Sequence, residues 1–190
     1  IQRPRKEPRR YQREAIDDVV AGFETKDRGR LIMACGTGKT FTSLKLVERM
    51  VPVGGSVLFL VPSIALLQQT LNEWTANADV PLRPFAVCSD ASVGRRRASE
   101  DIAASDLGFP ASTDPAKLAA RTAVSTGDEA ITVVFSTYQS IDVVRQAQDL
   151  GLAEFDLVIC DEAHRTTGVT EQGQDGSAFT MVHDAAKIRA

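Results

Sequence analysis

Apolar positions along this chain follow two rhythms that take turns. Ile16, Val19, Val20 and Phe23 recur at helical spacing over 11–23, and the pattern closes near Gly22 and a charged turn at 26–29. Short apolar runs then appear at 30–34, 56–61, 83–88, 130–135 and 156–160, each of strand length. Between most of them lie helical patterns at 39–50, 64–77 and 138–148. Strands that alternate with helices and are apolar on both faces predict an α/β fold, mainly parallel in its sheet, with helices on both faces.

One stretch breaks the rhythm. From 91 to 128 the residues are polar or alanine, with Pro110 and Pro115, which predicts a helical insertion of two helices at 94–105 and 115–125. Past His164 the chain turns polar over 165–177, and a last helix is expected at 178–186. No internal repeat and no low-complexity tract is present.

Chemistry enters at two of the predicted turns. Met33-Ala34-Cys35-Gly36-Thr37-Gly38-Lys39-Thr40 joins a predicted strand to a predicted helix. A triphosphate needs inward-pointing backbone amides, and glycines at 36 and 38 let the chain turn without a clashing side chain. Lys39 then reaches the β- and γ-phosphates, and the Thr40 hydroxyl ligates Mg²⁺. The strict Walker A pattern asks for glycine at 33, where this chain has methionine. A glycine-rich turn without a ligand is the bland alternative.

The second turn follows the apolar run that ends at Cys160 and carries Asp161-Glu162-Ala163-His164. In open α/β sheets ligands bind outside the carboxyl ends of the strands, so these carboxylates belong beside the phosphate loop. Asp161 would hold Mg²⁺, and Glu162 would orient or deprotonate the attacking water of ATP hydrolysis. Taken alone, an acidic pair after a strand is more often a solvated loop charge; the loop upstream reverses that weighting.

Asp-Glu-Ala-His together with Gly-Thr-Gly-Lys-Thr resembles helicase superfamily 2, where the Met-Ala-x-Gly-Thr-Gly-Lys-Thr variant is familiar. Residues 8–16 resemble its adenine-reading element, which assigns Gln12 to the adenine edge and Arg9 to the same element. Residues 61–69 resemble motif Ia, and 135–140 resemble the later motif that touches the nucleic-acid backbone. The resemblance assigns Pro62, Ser63, Ser136, Thr137 and Tyr138 to phosphate contacts without base information. For Ser63 the bland alternative is a helix N-cap, and for Thr137 and Tyr138 it is ordinary packing.

Ile64 and His164 stand where RNA-unwinding DEAD-box proteins have arginine and aspartate. The motif set instead resembles the motor subunits of restriction systems, above all single-polypeptide type I restriction-modification enzymes. That resemblance implies the first RecA-like lobe of a motor on double-stranded DNA, spanning 1–190 and ending before motif III. It further implies a second RecA-like lobe elsewhere in the parent chain, and coupling to the missing parts through His164. An RNA helicase lobe, and a P-loop nucleotide switch that recruits a protein partner, are the alternatives.

Composition adjusts this picture modestly. A chain of 190 residues accommodates one domain with a substantial core. The net charge of −3 means that any nucleic-acid contact depends on local groups rather than bulk attraction. Basic clusters stand at Arg3, Arg5, Lys6, Arg9, Arg10 and Arg13 and at Arg95 to Arg97; the second is read first as a solvated face. Cys35, Cys88 and Cys160 lack metal or disulfide spacing, which suits small apolar packing in a reducing cytoplasm. The apolar runs are far short of a membrane span, and the opening residues, Ile-Gln-Arg-Pro-Arg, show no signal peptide and are expected to begin an excised piece. His183 reads as an ordinary helix residue.

Overall fold

The computed structural model describes residues 6–88, 111–123, 129–162 and Ile188. Helix α1 (Arg10–Phe23) leads to α2 (Lys39–Met50), β1 (Ser56–Val61), α3 (Ile64–Asn77) and β2 (Leu82–Val87). Then come α4 (Pro115–Ala123), β3 (Ile131–Thr137), a 3₁₀ turn (Tyr138–Ser140), α5 (Ile141–Asp149) and β4 (Leu157–Cys160). The four strands form one sheet in the order β2-β3-β1-β4, and each adjacent pair is parallel.

Alternate residues of each strand feed two cores. Val57, Phe59 and Val61 of β1, with Val133 and Phe135 of β3, meet Leu44 and Val47 of α2 and Leu67, Leu71 and Trp74 of α3. On the other face Leu58 and Leu60 of β1 and Val134 of β3 meet Leu118 of α4 and Ile141, Val144 and Ala147 of α5. Both faces are therefore covered, and this is why the strands read as largely apolar runs rather than as strict alternations. Trp74 sits edge-on to Phe59 and Phe135, with ring centroids 5.1 and 5.5 Å away, which locks α3 onto the middle of the sheet.

The sequence predicted five strands where the described residues show four. Residues 30–34 carry no strand ladder, and Ile32 is 82% exposed. A strand exists only through its neighbour's hydrogen bonds, and the sheet's order gives this run no neighbour among the described residues. The predicted helix at 138–148 divides into the 3₁₀ turn and α5, and the one at 115–125 is seen as α4. The expected helices at 94–105 and 178–186 and the loop at 165–177 lie outside the described residues, as do His164, His183, Arg3, Arg5 and Arg95 to Arg97.

Parallel strands bring their carboxyl ends to one edge. Val61 leads there into Pro62 and Ser63, Thr137 into Tyr138, and Cys160 into Asp161 and Glu162. The segments that carry candidate chemistry thus share one side of the sheet.

Candidate active site

The phosphate-type loop is built by its glycines and by α1. Gly36 and Gly38 have φ of 75° and 81°, left-handed values that glycine adopts without strain. Gly38 also caps α2, its carbonyl accepting from the Thr42 amide at 2.9 Å. A β-carbon at Gly38 would stand 2.8 Å from Nε2 of Gln12, so the position is confined by space as well as by backbone.

Gln12 is buried, and both ends of its amide are used inside the protein. Nε2 donates to the Thr37 carbonyl at 3.1 Å, and Oε1 accepts from the Arg9 amide at 2.9 Å. The Tyr11 hydroxyl donates to the same Thr37 carbonyl at 2.9 Å. The side chain assigned to adenine is therefore also a strut that holds the loop against α1. Arg9 is exposed, as is Cys35, whose place on the surface differs from the apolar packing expected of the three cysteines. Cys88 lies in the first core and Cys160 packs against the second, as small apolar residues do.

Lys39 and Thr40 open α2. The Lys39 Nζ lies 4.0 Å from Glu162 Oε1, with both side chains about two-fifths exposed. This contact joins the loop to the end of β4 across more than a hundred residues of sequence. The Thr40 carbonyl accepts from Trp74 Nε1 at 3.0 Å and from Ser43 Oγ at 2.8 Å, which fixes the first turn of α2 against α3.

The acid pair occupies a tight turn. Glu162 has φ of 55°, a left-handed conformation costly for a residue with a β-carbon, of order 1 kcal/mol. Its amide donates to Asp161 Oδ1 at 3.0 Å, the Asp161 amide donates to the Leu60 carbonyl at 2.9 Å, and the Asp161 carbonyl accepts from the Tyr138 hydroxyl at 2.8 Å. Burial, above all, holds the Asp161 carboxyl above the ordinary aspartate value, and the adjacent Glu162 charge adds to it. The Glu162 amide and the Lys39 ammonium pull the other way. A carboxylate that burial and a neighbouring negative charge disfavour, as at Asp161, is a group whose charge a dication would relieve. The oxygen donors of Asp161 and Thr40 suit Mg²⁺, which binds through one or two carboxylates, waters and substrate phosphates.

Of the residues assigned to nucleic acid, Ser63 is exposed and Pro62 half-buried. Ser63 caps α3 by accepting from the Leu66 amide at 3.3 Å, so the capping role is realised. Ser136, Thr137 and Tyr138 are buried, and their hydroxyls point to Thr137 O, Ser140 Oγ and Asp161 O. All three hydroxyls are thus engaged within the protein, at the junction of β3 and α5. Sequence reasoning missed the struts Tyr11 and Trp74, and it gave Tyr138 a different role. The only available signal was that Trp74 is the single tryptophan and that Tyr11 adjoins Gln12.

A parallel sheet between helix layers, a glycine loop opening a helix, and an acid pair at the end of β4 define a RecA-like P-loop lobe. Residues 5–184 match the family described as Type III restriction enzyme, res subunit, and the chain belongs to that family. It is similar to the solved ATP-dependent Type ISP restriction-modification enzyme LlaBIII bound to DNA, with a TM-score of 0.86 and 42% identity over 99% of this chain. A nuclease-deletion mutant of the Type ISP enzyme LlaGI, in complex with a DNA substrate mimic, gives a TM-score of 0.75 and 41% identity over 96% of this chain. The probable helicase A859L of African swine fever virus (isolate Pig/Kenya/KEN-50/1950) is 30% identical over 165 residues, or 87% of this chain. The chain spans 12% and 16% of the two solved enzymes and 17% of the viral protein. Among the described residues no helix is long and apolar enough to cross a membrane.

Proposed function

We propose that this chain is the first RecA-like lobe of an ATP-driven motor that translocates on double-stranded DNA within a restriction-modification enzyme. The observation that carries the reading is the meeting of the phosphate-loop lysine with the acid pair, Lys39 Nζ 4.0 Å from Glu162 Oε1. The DNA named in the titles of both solved neighbours supports duplex DNA as partner, and the three free cysteines suit a cytoplasmic setting.

The geometry explains how such a lobe engages ATP. Amides of the loop around Gly36 and Gly38 receive the phosphates at the start of α2, where the helix dipole favours negative charge. A half-exposed ion pair contributes at most about 1 kcal/mol, so Lys39 exchanges Glu162 for a triphosphate at little cost. Glu162, released, turns to the water that attacks the γ-phosphate. Asp161 and the Thr40 hydroxyl would hold Mg²⁺, whose charge offsets that building on the transferring phosphoryl group. Gln12 and Arg9 serve the adenine side, with Cys35 and Thr37 completing the loop. His164 would relay the hydrolysis state to the rest of the motor. A second lobe in the parent polypeptide would supply the arginines that complete the transition state, so the isolated lobe is a slow ATPase. Exposed Ser63, with Pro62, is the favoured contact to DNA on this lobe.

The deciding experiment is ATP hydrolysis by the parent polypeptide with linear duplex DNA, single-stranded RNA or no nucleic acid, beside a Lys39→Ala control. Stimulation by duplex that the control abolishes supports the reading. Stimulation by RNA alone replaces it with an RNA helicase, and stimulation by neither favours a nucleotide switch with a protein partner.

A further inference from the structure

We propose that Tyr138 is a positioning residue for the acid pair, its hydroxyl fixing the peptide group that carries Asp161 and Glu162. The inference rests on the ATP-site reading above and assigns the residue to hydrolysis rather than to nucleic acid.

The peptide between Asp161 and Glu162 is held at both ends. Its carbonyl accepts from Tyr138 Oη at 2.8 Å, and its N–H donates to Asp161 Oδ1 at 3.0 Å. One residue earlier, the Asp161 amide is tied to Leu60 of β1 at 2.9 Å. Glu162 sits in a left-handed conformation that a side chain resists, and such strain persists only where its surroundings over-determine it. Of the three ties, one lies within the acid pair and one anchors the preceding peptide to β1. Tyr138 supplies the one that binds the peptide plane to a separate element.

The tyrosine is well placed to act as a rigid post. Its ring is fully buried in the second core, in the cluster of Leu58, Leu60, Ile141 and Val144, directly after β3. From that anchored ring the hydroxyl reaches one residue past the end of β4, where it donates to the Asp161 carbonyl at 2.8 Å. Because the peptide plane sets where both carboxylates point, rotation of that plane would move the Asp161 oxygens and the Glu162 oxygens together. A hydroxyl removed from Tyr138 therefore changes how the transition state is met more than how ATP is bound.

The test compares the parent polypeptide with its Tyr138→Phe and Lys39→Ala variants, measuring kcat and KM for ATP, affinity for duplex DNA and thermal stability. The phenylalanine keeps the buried ring and the fold. The expected result is a fall in kcat of about tenfold, with the KM for ATP and the DNA affinity each within about twofold of wild type. An unchanged kcat overturns the proposal, as does a loss confined to DNA affinity, which would mark a nucleic-acid contact. Full recovery of kcat at low temperature overturns it too, since that reports folding alone. Persistent activity in Lys39→Ala would strike the site reading itself, and the proposal with it.

Discussion

The indole N–H of Trp74 donates to the carbonyl of Thr40 at 3.0 Å, tying α3 to the first turn of the helix that follows the phosphate loop. Trp74→Phe keeps an aromatic ring between Phe59 and Phe135 and removes this bond. The folded state should lose about 1–3 kcal/mol, the cost of a buried polar group left with fewer donors. Chemical denaturation of the chain measures it, and a loss below the scatter of such curves would show the bond to be dispensable.

Gly36 and Gly38 separate backbone strain from steric confinement. Alanine at either meets a left-handed φ, worth about 1 kcal/mol, but only at 38 does its β-carbon reach Gln12, at 2.8 Å. Gly38→Ala should therefore weaken nucleotide binding at least tenfold, roughly 1.4 kcal/mol or more, while Gly36→Ala costs only a few-fold. Alkylation of the exposed Cys35, with and without Mg²⁺-ATP, reports occupancy directly. Equal effects at the two glycines would remove Gln12 from the account.

Asp161 makes stability and chemistry pull apart. Its folded-state pKa is raised above the ordinary 3.8, so folding favours the protonated acid. The stability this group contributes is present below the unfolded value and is lost as pH rises through the folded one. Asp161→Asn, which keeps the acceptor for the Glu162 amide, should raise the melting temperature at pH 8 and have no such advantage at pH 3. It should also abolish Mg²⁺-dependent hydrolysis. Melting curves at the two pH values decide the first point, and an aspartate more stable than asparagine at pH 8 would contradict it.

Lys45 ties the middle of α2 to the end of α3. Its buried ammonium meets Glu48 Oε2 at 2.8 Å, Asp79 Oδ2 at 2.6 Å and the Asn77 carbonyl at 3.1 Å. Lys45→Met leaves the buried Glu48 carboxylate without this cation, and unfolding should become easier by about 3–5 kcal/mol. Adding Glu48→Leu should recover part of the loss, since the unpaired charge then goes too. Denaturant titration of the single and double variants checks both steps.

Sequence patterning captured what depends on residue type. The runs at 56–61 and 130–135 are apolar except at Ser56 and Thr132, because β1 and β3 bury alternate residues in two different cores. The loop at 35–40 and the pair Asp161-Glu162 were legible because few other arrangements use those residues at that spacing. What depends on a partner was not legible. Leu31, Ile32 and Met33 are as apolar as any strand, yet they join no ladder among the described residues. Tyr138 has a hydroxyl whether it turns outward to a phosphate or inward to a carbonyl, and only the 3₁₀ turn before α5 decides between them.

The shared direction of the strands also leaves the molecule a quiet end. Opposite Asp161 and Ser63, the sheet's amino edge is closed by backbone bonds such as Gly54 N to Ala130 O at 3.1 Å and by Asp156 Oδ2 on the Ser56 amide at 2.7 Å. The turns there present Val53 and Leu150 to solvent. A fluorophore, tether or fused reporter installed at those two positions sits across the full length of the strands from the chemistry. It offers a handle for following the proposed motor without touching the residues assigned to its chemistry.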